Sequence, residues 1–484
     1  MCGPIDFSFR IWRRPAMTAD VLRGSPGAPP VPLGEAMKVW ARVAALSFGG
    51  PAGQIAVMHR ILVEEKRWLG ERRFLHALNY CMLLPGPEAQ QLAIYIGWLM
   101  NRTAGGLAAG ALFVLPGFLA IMALSILYAL FGALGPVAAF FFGLKAAVLV
   151  VVVQAVIRVG SRSLKNPVMV GIALAAFVGI WAFDVPFPLI ILAAGVAGFV
   201  GGRMGLPQFA AAAGHGPKVA HEVPDAETLL GEETPEHARV NLRWVGAVGG
   251  ALAALWLVPI LAIGLLLGWD DVFAQIAVFF SKMAVVTFGG AYAVLSYVAQ
   301  EAVGTYGWLK PGEMLDGLGM AETTPGPLIM VTQFVGFMGA YRNASGLDPL
   351  AAGVLGGVLT TWVTFVPCFL WIFLGAPFVE ALRGARALNA ALAAISAAVV
   401  GVIMNLALWF GLHVLFARMT PVEIGGLDLE LPALASINLW SAGLTIAAAV
   451  AAFRFKVPMI PLLFACAVAG VLIHLLVGLS PAAL

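Results

Sequence analysis

Apolar residues along this chain fall into runs of about 20, the length of helix that crosses a bilayer, and such runs recur from residue 36 to residue 478. They read as membrane helices. Two of the runs are broken in the middle: residues 83–91 are LLPGPEAQQ and residues 323–331 are TTPGPLIMV, so Pro-Gly-Pro stands where a helix should continue. Proline removes a helical N–H and glycine frees the backbone. At membrane depth such breakers are tolerated only where protein or water re-satisfies the freed groups. One long polar stretch interrupts the pattern, 203–243, where Asp225, Glu227, Glu232, Glu233 and Glu236 mix with Lys218, Arg239 and Arg243. It reads as a solvated linker, followed by a single extra membrane helix over 244–268.

The breaks come in matched pairs because the chain is a repeat. LSFGGPAGQI (46–55) returns as VTFGGAYAVL (286–295), with Phe48-Gly49-Gly50 and Phe288-Gly289-Gly290 offset by 240 positions. The same offset relates Trp68-Leu69 to Trp308-Leu309, Pro85-Gly86-Pro87 to Pro325-Gly326-Pro327, and Arg102 to Arg342. Farther on the offset grows. GLKAAVLVVVVQ (143–154) lies over AISAAVVGVIMN (394–405), and VPFPLIILAAGVAG (185–198) over VPMIPLLFACAVAG (457–470). The expected organisation is an arm (1–35), a first repeat (36–202), the linker (203–243), the extra helix (244–268) and a second repeat (272–480). The single extra crossing inverts the second copy, provided that each copy crosses an even number of times. Inverted repeats with discontinuous helices are a transporter architecture. The expected fold class is an all-α polytopic membrane protein of two inverted homologous repeats with broken or re-entrant helices, about 9–13 membrane segments in all.

Composition agrees. The chain is 61% hydrophobic and 11% charged, whereas soluble chains carry about 25% charge. Its 56 glycines and 30 prolines suit close helix packing with permitted breaks. The net charge of +3 is spread along the chain and leaves no nucleic-acid footprint. Cys2, Cys81, Cys368 and Cys466 show neither a disulfide framework nor zinc spacing, and Cys466 with His474 reads as packing on one helix. No cofactor or metal is expected. Residues 1–33 lack the apolar core of a signal peptide and read as a Pro-rich disordered arm, with Met17 as an alternative start. Arg10, Arg13, Arg14, Arg23, Lys38 and Arg42 place this arm in the cytoplasm by the positive-inside bias.

Counting every apolar segment as a span gives about thirteen crossings, and it puts the loop 59–73, with Arg60, Lys66, Arg67, Arg72 and Arg73, outside. If the Phe-Gly-Gly and Pro-Gly-Pro segments are instead re-entrant hairpins, that loop returns to the cytoplasm and parity is kept. Arms of about eleven residues reach near 16 Å, half of the ~30 Å core. The hairpin arrangement is preferred. It lets backbone reach mid-membrane depth as half-helix ends.

FGGPAGQIAVMHRILVEEKRWL followed by LLPGPEAQQLAIYIGW, with a second Phe-Gly-Gly, Trp and TTPGP set, resembles the chromate ion transporter family in its long, two-domain form. The resemblance covers about 36–202 and 273–478. It implies export of chromate from the bacterial cytoplasm, with resistance, by proton-linked antiport or driven by the potential. The second copy departs from the pattern, since Pro51 becomes Ala291, Gln54 becomes Val294 and the basic loop thins to Lys310. The two copies are therefore not expected to serve the substrate equally.

A tetrahedral divalent oxyanion needs N–H donors and few cations. Helix N-termini supply both donors and about half a positive charge. Gly49, Gly50, Gly289 and Gly290 are expected to let backbone approach the anion, while Gly86, Pro87, Gly326 and Pro327 open the second half-helices. Gln90, Gln91, Thr323, Thr324 and Gln333 are candidate donors. Glu88 and Glu322 flank the Pro-Gly-Pro breaks. An ionised carboxylate at that depth costs about 2.5–3.5 kcal/mol on insertion scales, so both are candidates for proton coupling. Lys145, in FFFGLKAAVLVVVV, is a candidate counter-ion for substrate or a partner of Glu88; its match in the second copy is Ser396. Arg102 and Arg342 read as anchors or gates.

The reading is a secondary transporter of the bacterial inner membrane, N-terminus cytoplasmic and C-terminus outside, exporting chromate from a site at the repeat interface. A sulfate or other oxyanion carrier, working in uptake, is the first rival, because charge and shape barely separate the two ions. A membrane-embedded enzyme is less favoured, since clustered His, Asp or Glu at helix ends are missing, and a Walker-type phosphate loop is absent from this sequence. The expected partners are the oxyanion, protons, the lipid bilayer and at most a second copy in a homodimer.

Overall fold

The computed structural model describes residues 31–209, 223–232, 235–288, 290–378, 386–424 and 427–477. Residues 1–30 of the N-terminal arm, Met17 among them, lie outside the described residues, as does Gly289. The first repeat begins with α1 (Leu33–Leu46), whose buried Ala36, Val39, Trp40, Val43 and Ala44 form one helical stripe. Gly49, in the left-handed region at φ 83°, breaks the chain into α2 (Gly50–His59), which closes in a π-turn over Arg60–Glu65. Next come α3 (Glu71–Cys81), the Pro-Gly-Pro break, and α4 (Glu88–Phe131). α4 is two arms: Asn101 and Arg102 leave helical geometry, and Arg102 takes φ 56°. The arms fold back antiparallel, so close that a Cβ on Gly97 would stand 2.5 Å from the Gly105 carbonyl, the small-residue packing of membrane helices. α5 (Gly135–Ser163), α6 (Pro167–Phe183) and α7 (Phe187–Arg203) complete the repeat, and α8 (Leu242–Leu267) follows the linker.

The second repeat retraces this order. It runs α9 (Val272–Val286), α10 (Ala291–Gln300) with a π-turn over Glu301–Thr305, α11 (Glu313–Thr323), and, after its own break, a 3-10 turn and α12 (Val331–Asn343). α13 (Pro349–Gly375), α14 (Arg386–Leu415), α15 (Leu439–Phe453) and α16 (Met459–Val477) follow. The growing offset is accounted for. Eleven residues enter at the turn 344–348 and the start of α13, and the hairpin of β1 (Met419–Ile424) and β2 (Leu427–Pro432) fills a connection that is three residues long between α5 and α6. Among the described residues six helices, α4, α5, α8, α13, α14 and α16, are long and apolar enough to cross a membrane, and α6, α7, α9 and α15 are shorter apolar helices.

Contacts fix which end of the molecule each loop occupies. The linker bonds to the first repeat's hairpin loop: Leu229 N–H to Arg67 O and Leu230 N–H to Trp68 O, both 3.0 Å, and Glu71 N–H to Val223 O, 3.1 Å. His237 Nε2 donates to Trp98 O at 2.9 Å, and Trp244 Nε1 donates to Thr103 Oγ1 at 3.2 Å. The last two lie where α4 turns back. The second repeat's hairpin loop, Lys310 and Gly312, instead lies beside Tyr128 and Gly132 at the far end of α4. Twenty-five residues of helix, about 38 Å at 1.5 Å per residue, separate Thr103 from Tyr128. The two sets of hairpins enter from opposite ends, which is the inversion.

Candidate substrate site

The hairpin tips meet across the repeats, reciprocally. Gly86 N–H, in the first Pro-Gly-Pro, donates to Thr287 O just before the second repeat's glycine pair, 2.8 Å. Gly326 N–H, in the second Pro-Gly-Pro, donates to Ser47 O just before the first repeat's pair, 2.9 Å. Ser47 and Thr287 are equivalent residues, both buried, each turning its hydroxyl to the carbonyl four residues back, Val43 O and Met283 O. Each break also docks beside a proline inside a helix of the other copy. A Cβ on Gly326 would meet Gly117 Cα at 3.1 Å, and one on Gly86 would meet Cys368 Sγ at 3.0 Å. Gly117 and Cys368 directly follow Pro116 of α4 and Pro367 of α13. Tips that enter from opposite ends and touch must each reach about half depth. The eleven residues of α3 and of α11 give about 17 Å each, together close to the ~30 Å core.

The glycines at these breaks answer different needs. Gly49 (φ 83°), Gly50 (φ 71°) and Gly290 (φ 100°) need a positive φ, and a Cβ on Gly49 or Gly50 would meet open space. At Gly86 (φ 122°) and Gly326 (φ 103°) the close approach is to protein rather than to open space. Pro87 caps α4 and Pro327 precedes the 3-10 turn Leu328–Met330, so the second copy's helix starts three residues late.

The polar side chains sort out as follows. Gln91 Nε2 donates to Pro85 O at 2.7 Å and Gln54 Nε2 to Gly326 O, so both amides brace the breaks. Thr323 and Thr324 spend their hydroxyl protons on carbonyls of their own helix, and Gln333 Nε2 donates to Phe118 O. Gln90, also among the expected donors, differs from these. It is completely buried, and neither its Nε2 nor its Oε1 has a partner. Gln91 Oε1 and Glu88 Oε2 beside it are also buried without one. Glu88 Oε1 stands 3.9 Å from where a Cβ on Gly290 would be, which brings the acidic start of α4 to the second repeat's glycine break. Glu322, 2% exposed, accepts a hydrogen bond from Tyr292 at the start of α10.

Three expected residues lie elsewhere. Lys145 is not at the breaks and does not pair with Glu88: its Nζ is 3.4 Å from Asp316 Oδ1, because α5 runs past the start of α11. Arg102 sits at the turn inside α4, and Arg342 is clamped by Glu313 through two bonds of 2.7 Å and by Trp308 O at 3.0 Å. Asp316, Tyr128 and Tyr292 did not stand out in the sequence, and Gln54 did only as a position that the second copy replaces by Val294. Asp316 carried a signal, since at the 240 offset it lies over His76, another titratable residue.

The sequence profile described as chromate transporter matches residues 34–199 and 274–471. A chromate transport protein of Pseudomonas aeruginosa is 31% identical over 399 residues, 82% of this chain and 84% of its own. One from Cupriavidus metallidurans is 28% identical over 400 residues, 82% and 86% of the two chains. A probable chromate transport protein of Synechococcus elongatus is 28% identical over 337 residues, 70% and 74% of the two. No solved structure matches. These relatives are transporters rather than enzymes.

Proposed function

The chain belongs to the chromate transporter family, and from that premise we propose that it is a secondary active transporter that exports chromate across a bacterial inner membrane. The anion is held at the repeat interface, between the start of α4 and the glycine break before α10. The observation that carries this is the group of four buried, unpartnered polar atoms at residues 88–91, beside the reciprocal docks of the hairpin tips. An unmet buried polar group costs about 1–3 kcal/mol, and buried groups without partners are rare enough to call for an explanation. A dehydrated oxyanion taking the Gln90 amide, with backbone N–H groups of Gly290 and Ala291 at the start of α10, removes that cost. Helix dipoles add partial positive charge without a fixed cation, which keeps release feasible.

Glu88 and Glu322 are the proposed proton-coupling groups. An ionised Glu88 at the same helix end repels a dianion, so its protonation and anion occupancy are linked. In this reading the arm, the linker and the loop 59–73 are cytoplasmic, by the positive-inside bias of their basic residues.

Gln90→Met tests the site, because it removes both unpartnered atoms at nearly constant volume. Uptake of labelled chromate into inverted vesicles is expected to fall about ten- to a hundredfold, the worth of one hydrogen bond to a charged group. Membrane abundance and melting temperature are expected to hold or rise, since an unmet buried amide is gone. Full transport by Gln90→Met would remove the site from the start of α4.

A further inference from the structure

At the end of the molecule opposite the linker, a cavity of about 290 Å³ opens between α4, α5 and the start of α11, and Tyr128, Lys145, Lys310, Glu313 and Asp316 line it. The first repeat supplies Tyr128 and Lys145; the second supplies the others. Asp316 is 3% exposed. Its Oδ2 accepts from the Tyr128 hydroxyl at 2.9 Å, while its Oδ1 is buried with no hydrogen bond, the Lys145 ammonium standing off at 3.4 Å. That separation exceeds the 2.7–2.9 Å of a charge-assisted bond. The Lys145 side chain is 25% exposed, toward the cavity that it lines.

The other charges in the cavity are more tightly engaged. Glu313 holds Arg342 through both oxygens at 2.7 Å and accepts the Lys310 N–H at 2.8 Å. Arg342 is therefore neutralised in bidentate geometry, and Lys145 is held loosely by one carboxylate. The Lys310 ammonium makes no ion pair among the described residues.

We infer that Lys145 and Lys310 form a second oxyanion station at the mouth opposite the linker, and that Asp316 occupies Lys145 whenever no anion is there. The ligand class is a tetrahedral divalent oxyanion, and the inference rests on the export reading above, for which this mouth is the exit. A dianion bridges two ammonium groups and outcompetes a single carboxylate for one of them. When Lys145 turns to the anion, Asp316 keeps its bond from Tyr128 and is not left bare. As the anion departs, Asp316 recaptures Lys145 and clears the station, so release requires no further cation movement. Asp316 also lies ten residues before Gly326 along the same hairpin, so exchange at the mouth acts on the arm whose tip docks on Ser47.

Three variants in inverted vesicles test this, each with membrane abundance measured. In Asp316→Asn the anion has no rival for Lys145. Both KM and kcat for chromate uptake are expected to fall about tenfold, the signature of a ligand held too well. In Lys145→Met an unpaired carboxylate faces the departing dianion, so kcat falls about tenfold while KM does not fall. The double variant carries a neutral pair, which buried sites tolerate better than one lone charge, and its kcat is expected within about twofold of wild type. A merely structural ion pair would lower abundance in the single variants and leave kcat per transporter and KM unchanged, and that result overturns the station. If Asp316→Asn fails to accumulate, the contrast between Lys145→Met and the double variant decides: equal kcat in the two overturns it. Wild-type uptake in the same vesicles tests the export reading separately. Its absence removes that reading and the station with it, whereas wild-type uptake with unchanged variants removes the station alone.

Discussion

The glycines of the two breaks look interchangeable in the sequence and are not. Gly49 sits at φ 83° with open space where a Cβ would go, so Gly49→Ala pays only for the left-handed backbone, roughly 1–2 kcal/mol. At Gly86 the same substitution adds a Cβ 2.8 Å from Gln91 Nε2 and 3.0 Å from Cys368 Sγ. The Gln91 amide must then leave Pro85 O, losing about another 1 kcal/mol. Gly86→Ala is therefore expected to lower the melting temperature in detergent clearly more than Gly49→Ala. Equal shifts would mean that packing between the repeats contributes nothing at that break.

Between residue and whole lies the linker, whose described residues 223–232 and 235–241 act as an element although they hold only short 3-10 turns. Segment 223–232 bonds backbone to backbone with 67–71, Arg67 meets Glu227 at 3.6 Å, and Arg73 donates to Glu232 O at 2.9 Å. Gly70 must be glycine because Asp225 lies over it, its backbone N 2.8 Å from a Cβ position. His237 fastens the other end, with its ring edge-on to Trp98 at 5.6 Å and its Nε2–H on Trp98 O. Burial, the largest influence, pulls the His237 imidazole below its ordinary value, against the lifting effect of the Trp98 carbonyl, with Arg102 also lowering it. The docked state thus favours neutral histidine. Its contribution is present above the unfolded value of about 6.5 and is lost as pH falls through the lower folded value. Hydrogen exchange over 223–232 and 235–243 is expected to quicken between pH 7.5 and pH 5, and to quicken clearly less in His237→Phe once the intrinsic pH dependence of exchange is removed. The same quickening in that variant would clear His237 of the effect.

For the whole molecule, inversion predicts opposite exposure of equivalent loops. Arg72, in the first repeat's hairpin, and Ser345, in the turn between α12 and α13, are both exposed and lie at opposite ends. Single cysteines at these two positions are expected to react with an impermeant maleimide from opposite faces: Ser345→Cys in intact cells, Arg72→Cys only in inverted vesicles. Labelling of both from one face would contradict two hairpin sets entering from opposite ends. The asymmetry within this symmetric frame is chemical. Lys145, Asp316, Glu322 and Tyr292 stand over Ser396, His76, Met82 and Ala52 in the other copy, so one pseudo-twofold scaffold carries two unlike faces.

The sequence by itself determined the repeat, the breaks and the membrane class. Those properties are written in composition, spacing and local backbone chemistry: a glycine at positive φ and a proline without an N–H act within a few residues of themselves. The 240 offset carried the pairing of Ser47 with Thr287 and of Gly86 with Gly326 as equivalents, but not the contact that joins them. Only the tertiary structure decided that each tip bonds to the other repeat rather than to its own, that Lys145 meets Asp316 171 positions away, and that Gln90 is left without a partner while Gln91, next to it, has one. Which face of a helix meets which neighbour depends on how the helices rotate and pack against one another. In a chain this uniformly apolar the hydrophobic pattern scarcely marks one face from another.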